Sequence, residues 1–389
     1  MIKKENRIIT AICCLSLLSH GLVTTATGPL LTTVQQSYHV TSAAVSLLYT
    51  FMSIGSITAV FISGYLIRKT NFRTVALLAQ VLMASFLVIF ASAGNLTTGI
   101  ISYTIIGLSG GLIQVTTNTT ISALNPETRA PALNMLHFSF GIGALCGPLL
   151  SGYILQNGIS WSNVYYVLAA YSVFISFLYL FIRFPLMDTG ISKGSFEFLK
   201  YFKNTYFVLM ILAIIIYVGV EMGINSWSVN YTREKHVLGN FAASSVLSYF
   251  WIFMTIGRLL CIPLTKKFRP SLVMLTLISF SVLAFITYIL SSHVILSFIS
   301  ISVIGLCFSG VFPILLSLGG NRYKEDIGSI TIVFMAFSCL GVMFFPLMMG
   351  IIKDSFSISS GMRMLLVFDV ILAVLICIIF KKSSEKTNS

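Results

Sequence analysis

The sequence predicts an all-α membrane protein of twelve transmembrane helices in two pseudo-repeated six-helix bundles. Three observations lead there: the scarcity of charge, the length of the apolar runs, and the placement of the basic residues. The 389 residues are 57% hydrophobic and only 9% charged, and the mean hydropathy is +0.95. Soluble domains carry about 25% charged residues, so this chain lacks the polar surface needed to face water. Its apolar residues come in runs of about 18 or more, long enough to cross the hydrocarbon core as helix. A membrane β-barrel would instead alternate apolar and polar residues in segments of about ten, a pattern not found here.

Taken in order, the apolar segments cover about 8–31, 43–67, 74–93, 97–123, 131–155, 163–184, 205–231, 241–264, 271–291, 293–319, 328–351 and 362–380. The first follows Lys3, Lys4 and Arg7 and runs on to about Leu31 without a small-residue cleavage pattern. It therefore reads as a spanning helix and not as a signal peptide. The long polar interval is 185–204, with Asp188, Lys193, Glu197, Lys200 and Lys203. It marks the chain as 1–184, a linker, and 205–389.

The net charge of +13 does not indicate nucleic acid, because the Lys and Arg sit in short clusters between apolar runs. With the N-terminus inside, 19 basic residues fall on the cytoplasmic side: Lys3, Lys4, Arg7, Arg68, Lys69, Arg73, Arg129, Arg183, Lys193, Lys200, Lys203, Lys266, Lys267, Arg269, Arg322, Lys324, Lys381, Lys382 and Lys386. Only Arg233, Lys235, Lys353 and Arg363 fall outside, and Arg258 lies within segment eight. This bias places both termini in the cytoplasm of a multi-pass protein of the inner or plasma membrane, with an even helix count.

The halves repeat. Phe51-Met52-Ser53-Ile54-Gly55 recurs as Phe253-Met254-Thr255-Ile256-Gly257, and Ile105-Ile106-Gly107-Leu108 as Val303-Ile304-Gly305-Leu306. At the second offset Glu127 matches Glu325, Gly143 matches Gly341, Pro148 matches Pro346 and Gly152 matches Gly350. Parallel repeats of this kind place a substrate site near mid-membrane where the halves meet.

The basic stretch Gly64 to Arg73 after the second segment resembles the corresponding loop of the major facilitator superfamily, with Arg68 at the position usually held by Asp. Two further regions resemble the fucose and glucose permease group within it. One is Gln114-Val-Thr-Thr-Asn118 with Asn134-Met-Leu-His137-Phe-Ser-Phe-Gly141-Ile-Gly143-Ala144 and Gly147-Pro148; the other is Tyr217-Val-Gly219-Val-Glu221-Met-Gly-Ile-Asn225-Ser-Trp227. The resemblance implies alternating-access symport of a sugar or similar small polar solute with protons or sodium. It departs at the first helix, which has His20, Thr24, Thr25 and Thr27 in place of an acid, and at Gln114, where the group has Glu. The run Gly143 to Gly152 also resembles the helix-five signature of superfamily antiporters, with Asn134 and Ser151 in place of Gly. A proton-driven exporter of drugs or metabolites is therefore the alternative.

Polar side chains inside spanning helices face the bundle or a wet cavity, since facing lipid is costly. Glu221 lies mid-segment, where an ionised carboxylate costs about +2.5–3.5 kcal/mol, so it is the expected proton-coupling group, with His20 second. Gln114 with Asn118, Asn134 with His137, and Glu221 with Asn225 sit three or four residues apart, each pair on one helix face. Such donors and acceptors suit sugar hydroxyls, and Trp227 and Trp251 offer flat faces to the ring. The structural reading of the same residues is interhelical glue at about 0.6 kcal/mol per contact. Arg68, Arg73 and Arg258 are expected at the gate, Arg258 by snorkelling or by a salt bridge. Asp369, near the outer edge of its segment, reads as a solvated or capping residue. No nucleotide loop, metal-ligand spacing or nucleophile constellation is present, so no cofactor or metal is expected. An intramembrane enzyme and a channel are the weaker rivals. The expected partners are substrate, coupling ion and lipid, for a monomer.

Overall fold

In a computed structural model, residues 2–125, 129–182, 184, 198–323 and 327–385 are described. Glu127 and Glu325 of the repeat, Arg183, Lys324, Lys386 and the linker stretch with Asp188, Lys193 and Glu197 lie outside them. The chain forms helices α1 (Ile2–Ser37), α2 (Ser42–Lys69), α3 (Phe72–Ala91), α4 (Leu96–Leu124), α5 (Arg129–Gln156), α6 (Ser162–Phe181), α7 (Thr205–His236), α8 (Asn240–Lys267), α9 (Pro270–Leu290), α10 (Val294–Phe308), α11 (Val311–Arg322), α12 (Ile327–Ser355) and α13 (Ile358–Glu385). A short 3-10 helix, Phe198–Lys203, precedes α7. With α10 and α11 counted as one span, twelve helices among the described residues are long and apolar enough to cross a membrane.

Five helix starts are written locally. Thr41, Asn71, Asn95 and Asn204 each turn a side-chain oxygen onto the free N–H groups of the following helix, at 3.1, 2.8, 2.9 and 2.9 Å. Pro270 opens α9 at a position where a missing N–H costs nothing. The tenth segment, expected as one helix, is broken at Ser309-Gly310. Pro313 has no N–H to give the Ser309 carbonyl four residues back, and its ring crowds that carbonyl.

The chain falls into two compact units: Met1–Lys193 with Asn240–Ser244, and Gly194–Gly239 with Ser245–Ser389. Within the first, α1 packs chiefly on α5, α2 on α4, and α3 on α4 and α6; within the second, α7 packs on α12 and α13, and α9 on α10 and α13.

Glycine sets the closest crossings. A Cβ on Gly55 of α2 would strike the Thr104 carbonyl of α4, and one on Gly107 of α4 would strike the Met52 carbonyl of α2. Their repeat partners make the same crossing in the second unit, Gly257 of α8 against Leu306 and Ser309, and Gly305 of α10 against the Phe250 carbonyl. Likewise Gly143 of α5 abuts the Leu18 carbonyl of α1, and Gly341 of α12 abuts the Ile215 carbonyl of α7. The repeated glycines thus let backbones approach at equivalent crossings, as small residues do in membrane bundles.

Candidate functional site

In the second unit a polar strip runs along the face of α7 that carries Tyr217, Glu221 and Asn225, each four residues from the next. Glu221 is buried; the Tyr217 phenol donates a hydrogen bond to its carboxyl, and Arg258 of α8 lies within electrostatic reach. One turn further along α7, Asn225 Oδ1 accepts a hydrogen bond from Trp251 Nε1 at 3.1 Å. Trp251 and Arg258 are seven residues, about two turns, apart on one face of α8. The Arg258 guanidinium also rests on Met254 Sδ at 3.7 Å. Phe308 and Phe312 flank the Tyr217 ring, with centroids at 5.4 and 6.5 Å. Arg258, expected to snorkel or bridge a gate, thus lies within electrostatic reach of the acid of its own unit.

Trp227 lies on the other side of α7. It is fully enclosed, its Nε1 donates to the Pro346 carbonyl at 3.3 Å, and the Lys353 ammonium stands 4.6 Å above its ring. Its indole belongs to the packing of α7 against α12.

In the first unit the polar side chains gather around α1, α4 and α5. The His20 ring tilts against Phe140 with centroids 5.8 Å apart. It fills the space left by Gly110, where a Cβ would stand 2.6 Å from Nδ1. Gly110, Gln114 and Asn118 recur at every fourth residue on α4, and His137 precedes Phe140 by three on α5, so His20 lies on the side of both helices that carries them. Gln114 and His137 are half-buried, and Asn134 is exposed. Asn118 Nδ2 donates to the Gln114 backbone carbonyl at 2.7 Å. Ser151, where the antiporter signature has Gly, donates instead to the Ala26 carbonyl of α1 at 2.9 Å.

Two of the arginines expected at a gate differ in placement. Arg68 is exposed at the end of α2. Arg73 is a strut: its Nε and Nη2 donate to the Tyr179 and Leu180 carbonyls, both at 2.7 Å, at the C-terminal end of α6.

Asp369 corrects the reading of an edge residue. Its helix α13 begins at Ile358, so the residue sits three turns inside and is fully enclosed. Its Oδ2 lies 2.8 Å from Ser281 Oγ of α9, whereas Oδ1 is buried with no hydrogen-bond partner. The signal available in the sequence was the acid itself; its depth depended on where the helix starts.

Twelve spanning helices in two units with repeated glycine crossings define a polytopic α-helical membrane protein. The family model of the Major Facilitator Superfamily matches residues 13–346, and the chain belongs to that family. It is 24% identical to the "Protein TsgA homolog" of Buchnera aphidicola subsp. Baizongia pistaciae over 83% of this chain and 82% of that one. It is 22% identical to the glucose/mannose transporter GlcP of Bacillus subtilis over 95% of this chain and 93% of the relative. With the sodium-dependent glucose transporter 1 of Xenopus laevis it shares 23% identity over 85% of this chain and 72% of the relative. A crystal structure of a mutant of the nucleoside transporter NupG superposes with a TM-score of 0.83 at 14% identity, covering 96% of this chain and all of the other. The protein is a transporter and not an enzyme.

Proposed function

We propose that the chain is a secondary active transporter working by alternating access, a proton-coupled symporter of a sugar or similar small polar solute. Glu221 is its principal proton-binding group. The observation that carries this reading is the α7–α8 strip, in which a buried carboxyl accepts from a phenol and lies within electrostatic reach of a guanidinium. Such a carboxyl has a stabilising neighbour in each protonation state. Ionised, it is offset by Arg258; neutral, it releases Arg258 and still accepts from Tyr217. A change in hydration between outward- and inward-open forms then loads or unloads the proton. His20 is the second titrating group in this scheme. Gln114, Asn118, Asn134, His137, Asn225 and Trp251 are the candidate substrate contacts, because amides and an imidazole supply both donors and acceptors to hydroxyl groups. The sugar assignment draws on the relatives named as glucose transporters, which align over most of the chain.

The test is transport in proteoliposomes with a panel of hexoses, with and without an imposed proton or sodium gradient. The wild type should accumulate a hexose under the proton gradient. Glu221→Gln keeps shape and hydrogen bonding and removes the charge switch, so it should abolish accumulation and leave counterflow largely intact. Undiminished accumulation by Glu221→Gln with an unchanged pH profile overturns the role of Glu221. Accumulation driven by sodium alone overturns proton coupling. Counterflow of drugs or dyes with no hexose transport overturns the sugar assignment in favour of export.

A further inference from the structure

The buried acid that the proposed transport cycle does not use is Asp369. Its surroundings are sparse in polar groups. From α9 comes Ser281, and from α10 comes the thiol of Cys307, within electrostatic reach. The other helices packed on α13 meet it with apolar groups: α7 sets Gly223 against Leu365, and α12 sets Phe345 against Phe368 with centroids 4.8 Å apart. Among the described residues no cation faces the carboxyl.

Ser281 bears on the proton count. Its Oγ lies 2.8 Å from Asp369 Oδ2 and 3.0 Å from the Ile278 carbonyl of its own helix. A hydroxyl carries one proton, and a backbone carbonyl only accepts. A protonated carboxyl lets each short contact be a full two-centre hydrogen bond, Ser281 donating to Ile278 and the carboxyl donating to Ser281. That arrangement, with a proton on Oδ2, also avoids sharing one hydroxyl proton between two acceptors. The remaining Oδ1 is then the carbonyl oxygen of a neutral acid, which suffers far less from lacking a partner than half of an unpaired anion does.

We propose that Asp369 is a second proton-binding site, separate from Glu221, that holds a proton at neutral pH and uses it to clamp α13 to α9 through the relay Asp369–Ser281–Ile278. The site binds a proton as a structural ligand and not as transported cargo. Its sign is defined: the folded protein holds a proton that the unfolded chain releases at neutral pH, so the clamp weakens as pH rises. An Asn at 369 donates to Ser281 through its amide at every pH and mimics the protonated form.

The decisive measurement is infrared spectroscopy of the purified full-length protein in the region of the protonated carboxyl carbonyl stretch, at about pH 7, far above the ordinary Asp value of about 3.9. Glu221→Gln serves as background so that the first acid is silent. A protonated carboxyl band should persist in that background, vanish on adding Asp369→Asn, and move to higher frequency on adding Ser281→Ala, which removes the acceptor. The thermal midpoint should fall between neutral and alkaline pH in wild type and fall less in Asp369→Asn. Absence of the band in the Glu221→Gln protein overturns the proposal whatever the other variants do. A band unmoved by both added substitutions overturns it equally. Should Asp369→Asn fail to fold, the Glu221→Gln spectrum and the Ser281→Ala shift decide by themselves.

Discussion

Gly107 and Gly110 stand one turn apart on α4, yet a methyl group added to each meets a different obstacle. At Gly107 it strikes the backbone of α2, the Met52 carbonyl, which cannot withdraw without moving the helix. At Gly110 it meets the His20 imidazole, the far end of a side chain that can rotate. Gly107→Ala should therefore destabilise the first unit by about 1–3 kcal/mol, the usual cost of overpacking, with a lower thermal midpoint in detergent. Gly110→Ala should fold normally and displace His20, shifting the pH profile or the apparent affinity of transport with little change in the midpoint. Equal loss of stability in both variants would mean that His20 is locked as tightly as backbone. Legibility differed from residue to residue for the same physical reason. Glu221 was readable because a mid-span acid is costly wherever its partners lie. The partner Arg258 was not, since it lies on another helix and local spacing carries no information about pairing across α7 and α8. Asp369 was misplaced by a helix boundary four residues off, about one turn.

Among the elements, span positions followed from hydropathy, and four starts from Thr or Asn caps that act within three residues. The break between α10 and α11 was hidden because Ser309, Gly310 and Pro313 leave the run apolar enough to span. The end of α6 depends on a distant residue. Arg73 of α3 satisfies two of the carbonyls that α6 leaves unpaired at its C-terminus, and its positive charge also suits that end of the helix dipole. Hydrogen bonds to charged groups contribute about 1.5–3 kcal/mol, so Arg73→Ala should lower the thermal midpoint measurably. Arg73→Lys should recover only part, because an ammonium lacks the planar fork that reaches both carbonyls. A purely gating Arg73 would behave otherwise: both variants would keep the wild-type midpoint and lose transport.

At the scale of the whole molecule, the expected orientation rests on the distribution of charge between the loops. The sequence assigns 19 basic residues to one side and four to the other, each worth about 1 kcal/mol beside an anionic leaflet, a bias that predicts which loops stay in the cytoplasm. Helix count turns that bias into a side for every loop. Thr70 follows the second span and Phe356 follows the eleventh, so nine spans, an odd number, separate them. Both residues are exposed, in the short connections after α2 and α12. Single cysteines at these positions, introduced as Thr70→Cys and Phe356→Cys in a background with the seven native cysteines replaced, should react from opposite sides of the membrane. Phe356→Cys should be modified by an impermeant maleimide added to intact cells, and Thr70→Cys only after permeabilisation. Removing the native thiols matters, because Cys146 is itself exposed on α5. Labelling of both from the same side would mean that one of the nine helices fails to cross, the broken α10–α11 span being the first suspect. Labelling of Thr70→Cys alone in intact cells would preserve the count and reverse the orientation, placing the basic loops outside against the charge bias.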